Sequence, residues 1–127
     1  MSYKKKSRKV RRNVEMAVAH INSTFNNTLV SITTHDGDVM LQQSAGRLGF
    51  KGARKGTPYA ASQVGATLAR DMSSLGIKNV EVNLCGPGAG RDSVVRALQG
   101  AGIGVSVLRD VTPLPHNGTR ARKRRRV

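Results

Sequence analysis

The sequence has no tryptophan, four aromatic residues, a single cysteine and only seven acids among 127 residues. Each shortage excludes something. One cysteine, Cys85, cannot form an internal disulfide, so a reducing compartment is expected. That thiol and three scattered histidines offer no zinc-ligand spacing. Seven thinly spread carboxylates supply no cluster for acid–base catalysis. Tyr3, Phe25, Phe50 and Tyr59 are too few and too dispersed for a base-stacking platform. Recognition of any nucleic acid should then rest on backbone phosphates and shape. No run of ~18 apolar residues is long enough to cross a membrane, and no apolar signal region follows the basic start.

What the sequence does have is positive charge: 22 Lys and Arg, for a formal net charge of +15. Its placement says more than its size. Residues 1–12 carry Lys4, Lys5, Lys6, Arg8, Lys9, Arg11 and Arg12 without an acid. Residues 120–126 carry Arg120, Arg122, Lys123, Arg124, Arg125 and Arg126. Nine basic residues remain between them, against all seven acids, so the centre is near neutral. A chain of 127 residues holds one domain. The expected division is a basic N-terminal arm at 1–12, a single α/β domain at 13–112 and a Pro-containing basic tail at 113–127. Like charges so closely spaced repel one another and form no core. Solubility or a localisation signal is the bland reading. Two such arms, the second rich in arginine, point instead to a polyanion, nucleic acid. Affinity built on phosphate neutralisation should fall steeply with salt.

Between the arms the patterning is legible. VEMAVAHI, 14–21, sets Val14, Met16 and Val18 on one alternation and reads as a strand. After the turn residues NSTFNNT comes the β-branched strand TLVSITTH, 28–35. Asp36-Gly37 then makes a hairpin turn into the return strand DVMLQQSA, 38–45. These segments form an antiparallel meander. Thr57-Pro58 starts a helix with Ala61, Val64, Leu68, Met72 and Leu75 at helical spacing, and Gly76 stops it. Its small flank, Ala60, Gly65, Ala66 and Ala69, suits close packing on a sheet or on another protein. IKNVEVNL, 77–84, is a strand with one buried face. Loop 85–90 leads to a helix ending near Ala101, with Val94, Val95, Leu98 and Ala101 inward, and VSVLRDV, 105–111, is the last strand. The order strand, helix, strand, helix, strand implies parallel pairing through right-handed crossovers. The fold class is α/β: a mixed five-stranded sheet, a meander followed by βαβαβ, with helices packed on it.

Two glycine-rich loops have phosphate-binding character. The first, GRLGFKGARKGT at 46–57, carries Arg47, Lys51, Arg54 and Lys55, and no acid occurs between Asp38 and Asp71. It could follow a curved phosphate backbone; a solvated loop is the plain alternative. The second, NLCGPGAGRDSVVRALQG at 83–100, runs through Gly86, Gly88 and Gly90 into a helix whose N–H groups favour an anion. Arg91 adds a full charge there, while Asp92 serves the helix start. A tight turn whose glycines serve geometry alone is the other reading. Two enzyme motifs fail here. The dinucleotide fingerprint wants glycine where Arg91 stands. The nucleotidase loop wants Gly-Lys-Ser/Thr four residues after a glycine, and neither Gly86 nor Gly88 starts such a pattern. Cys85 reads as a small buried hydrophobe, and no catalytic residue, metal or cofactor is expected.

The end of the chain, DVTPLPHNGTRARKRRRV, leaves the sheet through two prolines. It adds His116 and Asn117 as polar contacts, bends at Gly118 and enters the basic run. Asn117-Gly118 is also a step where the following backbone nitrogen can attack the side-chain amide and form isoaspartate. This tail, with AHINSTFNNTLVSIT, SAGRLGFKGARKGTPYAA and GPGAGRDSVVRAL in the same order, resembles the universal small-subunit ribosomal protein eleven family, bacterial type. The resemblance covers residues 14–127. It departs at Thr119, where bacterial members usually have cysteine, and at Ala121, where they usually have proline.

The resemblance implies an RNase-H-like core lacking catalytic carboxylates, and a non-enzymatic role. It implies a place on the platform of the small subunit of the cytoplasmic ribosome, bound to the central domain of its rRNA and near the mRNA exit path. The implied neighbours are ribosomal proteins six, seven, eighteen and twenty-one. Carried over by motif, the expected rRNA contacts are Asn26 and Asn27, then Arg47, Lys51, Arg54 and Lys55, then Gly88, Gly90 and Arg91. His116, Asn117, Arg120, Arg122, Lys123, Arg124, Arg125 and Arg126 complete them. The alternative is a general nucleic-acid-binding basic protein that takes DNA and RNA alike.

Overall fold

The computed structural model describes residues 15–126; the basic segment 1–12 and Val14 lie outside that range. Five strands form one sheet in the order β3-β2-β1-β4-β5. They are β1 (Met16–Ser23), β2 (Thr28–Thr33), β3 (Val39–Ser44), β4 (Asn79–Cys85) and β5 (Gly104–Asp110). The first three pair antiparallel, and β4 pairs parallel with both β1 and β5. This is the mixed α/β sheet expected from the patterning. The helices are α1 (Pro58–Ser74) and α2 (Gly90–Gly100), and a short 3-10 helix covers Gly52–Gly56.

Topology explains why both helices share one face. The crossovers β3–α1–β4 and β4–α2–β5 advance in the same direction across the sheet. Crossovers of one hand running one way must lie on one side. The core therefore has a single layer. Ala17, Ala19 and Ile21 of β1, Val30 and Ile32 of β2, and Val80, Val82 and Leu84 of β4 face Val64, Leu68 and Met72 of α1 and Val94 and Leu98 of α2. The opposite face carries His20, bonded to the Thr33 hydroxyl at 3.1 Å, and Arg109 beside Glu81 at 3.4 Å.

The small flank of α1 meets α2 at Gly65, while Ala66 is exposed. A Cβ on Gly65 would stand 2.7 Å from the Ala97 Cβ, so glycine there sets how closely the helices approach. Both helices end in the same way. Gly76 and Gly102 adopt φ of +80° and +90°, and the Ile77 and Ile103 amides bond back to the carbonyls of Met72 and Leu98. The second ending corrects one expectation. Ala101 is the exposed C-cap of α2 rather than a core residue, and Ile103, after the glycine, is the residue buried there. β1 also runs on through Asn22 and Ser23, because the buried Ser23 pairs with Thr28 across the hairpin.

Candidate nucleic-acid interface

The turn between β1 and β2 is built by one threonine. The Thr24 hydroxyl oxygen accepts from the Asn26 and Asn27 amides at 3.3 and 3.1 Å, and the Thr24 amide donates to the Asn27 carbonyl at 2.9 Å. The Asn27 side chain accepts from the Thr28 amide at 2.8 Å and is held by the turn. Asn26 is exposed, and its side chain makes no hydrogen bond among the described residues. Phe25, at the tip, is 76% exposed.

Two other segments press against this turn. A Cβ on Gly56, where the 3-10 helix ends, would fall on the Phe25 carbonyl. A Cβ on Gly86 would fall on the Ser23 carbonyl, and one on Gly88 on the Ser23 hydroxyl and the Thr24 carbonyl. The Gly88 amide also donates to the Ser23 carbonyl at 2.9 Å. Gly90 opens α2 and is buried against Thr28 and Ala61. All three meet where β1, β3 and β4 end, the edge at which open α/β sheets bind ligands.

In the 46–57 loop, Arg47, Lys51 and Arg54 are exposed and Lys55 is half-buried, its stem passing Gly46 at a distance a Cβ would make 3.6 Å. Arg47 donates to the Gln42 carbonyl at 3.2 Å. None of the four has an ion-pair partner among the described residues. The Thr57 hydroxyl caps α1 by accepting from the Ala60 amide at 3.2 Å, with Pro58 in the first helical position. That cap places Tyr59 beside the loop, 65% exposed, its ring 6.0 Å from that of Phe50.

Arg91 is differently placed. Its guanidinium donates to the Gly86 carbonyl at 3.0 Å and to the Asp110 carboxylate at 2.9 Å. Asp110 also accepts from the Thr112 hydroxyl at 2.6 Å and amide at 3.1 Å, and that hydroxyl oxygen accepts from the Gly86 amide at 3.1 Å. The Thr112 hydroxyl above all, then Arg91 and the Thr112 amide, hold the Asp110 carboxyl down at about 2. The cluster ties the 85–90 loop to the start of the tail. No sequence spacing pointed to it, since its members stand 19 and 26 residues apart.

From Val111, whose amide bonds to the Leu84 carbonyl at 2.7 Å, the tail leaves the same edge of the sheet. Every described residue from Val111 to Arg126 is exposed. His116, Asn117 and the six basic residues Arg120 to Arg126 form no side-chain hydrogen bond or ion pair among the described residues. Asn117 has φ +61°, the one non-glycine residue with positive φ among those described. The structure thus unites the turn, both loops and the root of the tail, and leaves the tail's charges projecting.

A family model for ribosomal protein S11 matches residues 17–126, from the first strand through both loops to the end of the described tail. The chain belongs to the ribosomal protein S11 family. Members of the S11 family are structural components of the small ribosomal subunit, so this chain is a small-subunit ribosomal protein that binds rRNA. No helix among the described residues is long and apolar enough to cross a membrane.

Proposed function

We propose that this chain sits on the platform of the small subunit, near the mRNA exit path, and holds the central domain of the rRNA during assembly and translation. Ribosomal proteins six, seven, eighteen and twenty-one are its proposed neighbours there, on the cytoplasmic ribosome. In this reading residues 1–12 and 113–127 are RNA-binding arms on a domain spanning 13–112. The carrying observation is one edge of the sheet where four sequence-distant segments meet, with cations projecting from it unpaired among the described residues. Asn26, Arg47, Lys51, Arg54 and Lys55 are the proposed contacts of the domain, and His116 to Arg126 those of the tail. Asn27, Gly88, Gly90 and Arg91 lie at the same edge, with the internal partners described above. The exposed basic run of the tail finds its partners on RNA rather than within the protein.

Sedimentation of native lysate through a sucrose gradient, before and after a high-salt wash, tests the reading. The protein should stay with the small subunit through salt that strips loosely held polycations. A variant with Ser at positions 122–126 should fold identically yet wash off at lower salt. Its salt slope on isolated rRNA should be shallower by about 4. Wild-type protein spread over all nucleic acid would favour a general polyanion binder.

A further inference from the structure

Beside the 46–57 loop lies an open hollow of about 520 Å³, lined by Leu48, Gly49, Phe50, Lys51 and Arg54. That volume falls in the range of small-ligand sites, roughly 300–1,000 Å³. One wall is apolar, from Leu48 and Phe50, which pack partly on the core. The other brings two exposed cations, Lys51 and Arg54. The wall is fixed by backbone bonds: the Leu48 amide to the Ser44 carbonyl at 3.3 Å and the Phe50 amide to the Ala45 carbonyl at 3.2 Å. Tyr59 meets Phe50 edge to face, at 78°, from the first turn of α1. Sequence alone scatters the aromatics, but the fold pairs two of them next to the most basic loop of the domain.

The glycines here differ from those around Ser23. Gly49 and Gly52 bend the chain with φ of +98° and +59°, and a Cβ on either would meet nothing within 4 Å. They relieve no internal crowding. An occupant with an apolar surface for Leu48 and Phe50 and negative charge for Lys51 and Arg54 suits this lining, with no carboxylate in the loop to oppose it. A nucleotide has both features. We infer that the hollow takes one unstacked nucleobase of RNA, its face against Phe50 and its flanking phosphates on Lys51 and Arg54. This rests on the rRNA-binding reading and adds a base contact to it.

The absence of tryptophan supplies the probe. In the full chain carrying Tyr3→Phe, Tyr59 is the sole intrinsic fluorophore of its kind. This protein is titrated with a short single-stranded oligoribonucleotide, an oligomer of the same length with the bases removed, and AMP. The base-bearing oligomer should quench Tyr59 and bind about tenfold more tightly than the abasic one. Phe50→Leu, which keeps apolar volume, should erase most of that preference while leaving the salt dependence unchanged. Equal binding of both oligomers with Tyr59 unquenched overturns the base site and leaves phosphate binding standing. Binding of neither overturns the rRNA-binding surface as well. AMP binding as tightly as the oligomer would make the hollow a mononucleotide site instead. If Phe50→Leu does not fold, the base-bearing and abasic comparison in the Tyr3→Phe protein decides.

Discussion

Both glycine-rich loops lie at the same edge of the sheet with arginine in or next to them, yet they are built differently. In 85–90 the glycines face inward on Ser23, Thr24, Thr28 and Ala61, and Arg91 is bound to Gly86 and Asp110. In 46–57, Gly49 and Gly52 face open space, and Arg47, Lys51 and Arg54 are exposed without an ion-pair partner among the described residues. The first loop is an internal fastening, while the second is anchored only at its end, where Gly56 packs on the Phe25 carbonyl, and is otherwise a surface. A glycine next to an arginine therefore says little until one knows what would stand where its side chain is missing.

The sharpest way to break that contrast is to supply the missing Cβ. Gly86→Ala combines a φ of +97° with a Cβ lodged on the Ser23 carbonyl. Left-handed backbone costs an L-residue about 1–2 kcal/mol and overpacking a further 1–3 kcal/mol. A loss of about 3 kcal/mol in urea denaturation is expected, with thermal unfolding roughly 15 °C lower. Gly49→Ala bears only the backbone cost, about 1 kcal/mol. Equal losses at the two sites would erase the distinction.

Removing charge tests the same contrast from the other side. Arg47→Ala, Lys51→Ala and Arg54→Ala together should leave stability within about 0.5 kcal/mol. They should make the salt slope of rRNA binding shallower by about 2–3. Arg91→Ala should change that slope by less than one contact, since its guanidinium is engaged within the protein, and should loosen the root of the tail. Slopes measured for both variants on the same rRNA fragment decide it. The reverse pattern would exchange the roles of the two loops.

Much of this architecture is legible in the residues themselves. β-branching in β2, alternation in β4, the Thr57-Pro58 start and the glycine stop at 76 are local signals that survive folding. The alternation read in β1 instead puts Met16 and Val18 on the face away from the helices, and Ala17, Ala19 and Ile21 make its core face. The convergence of the four segments is not local. It follows from the strand order, which carries the ends of β1, β3, β4 and β5 to one edge. Ala101 misled because helical spacing ignores the terminal glycine turn, which hands the buried position to Ile103. Phe50 and Tyr59 meet through the bend at Gly52–Gly56, which composition alone presents as featureless loop. The fastening around Asp110 joins residues with no shared pattern, so only the folded chain displays it.

That fastening carries the smallest effect, and its sign is fixed by chemistry. Asp110 is held at about 2, below its ordinary 3.8. Its contribution is therefore complete above about pH 4 and is lost as pH falls toward 2. The carboxyl is exposed to solvent, so global stability should barely move with Asp110→Asn. The readout is local. The Asp110 carboxyl carbon, followed by NMR, should titrate near 2 in the wild type. Thr112→Val should return it furthest toward 3.8, and Arg91→Ala less far, following the order of their hydrogen bonds. In Asp110→Asn the amides of Gly86 and Thr112 should exchange faster while those of β4 stay protected. Unaltered exchange at both would mean that the loop and the tail hold their places independently, and that the tail's direction is set by Val111 and the prolines alone.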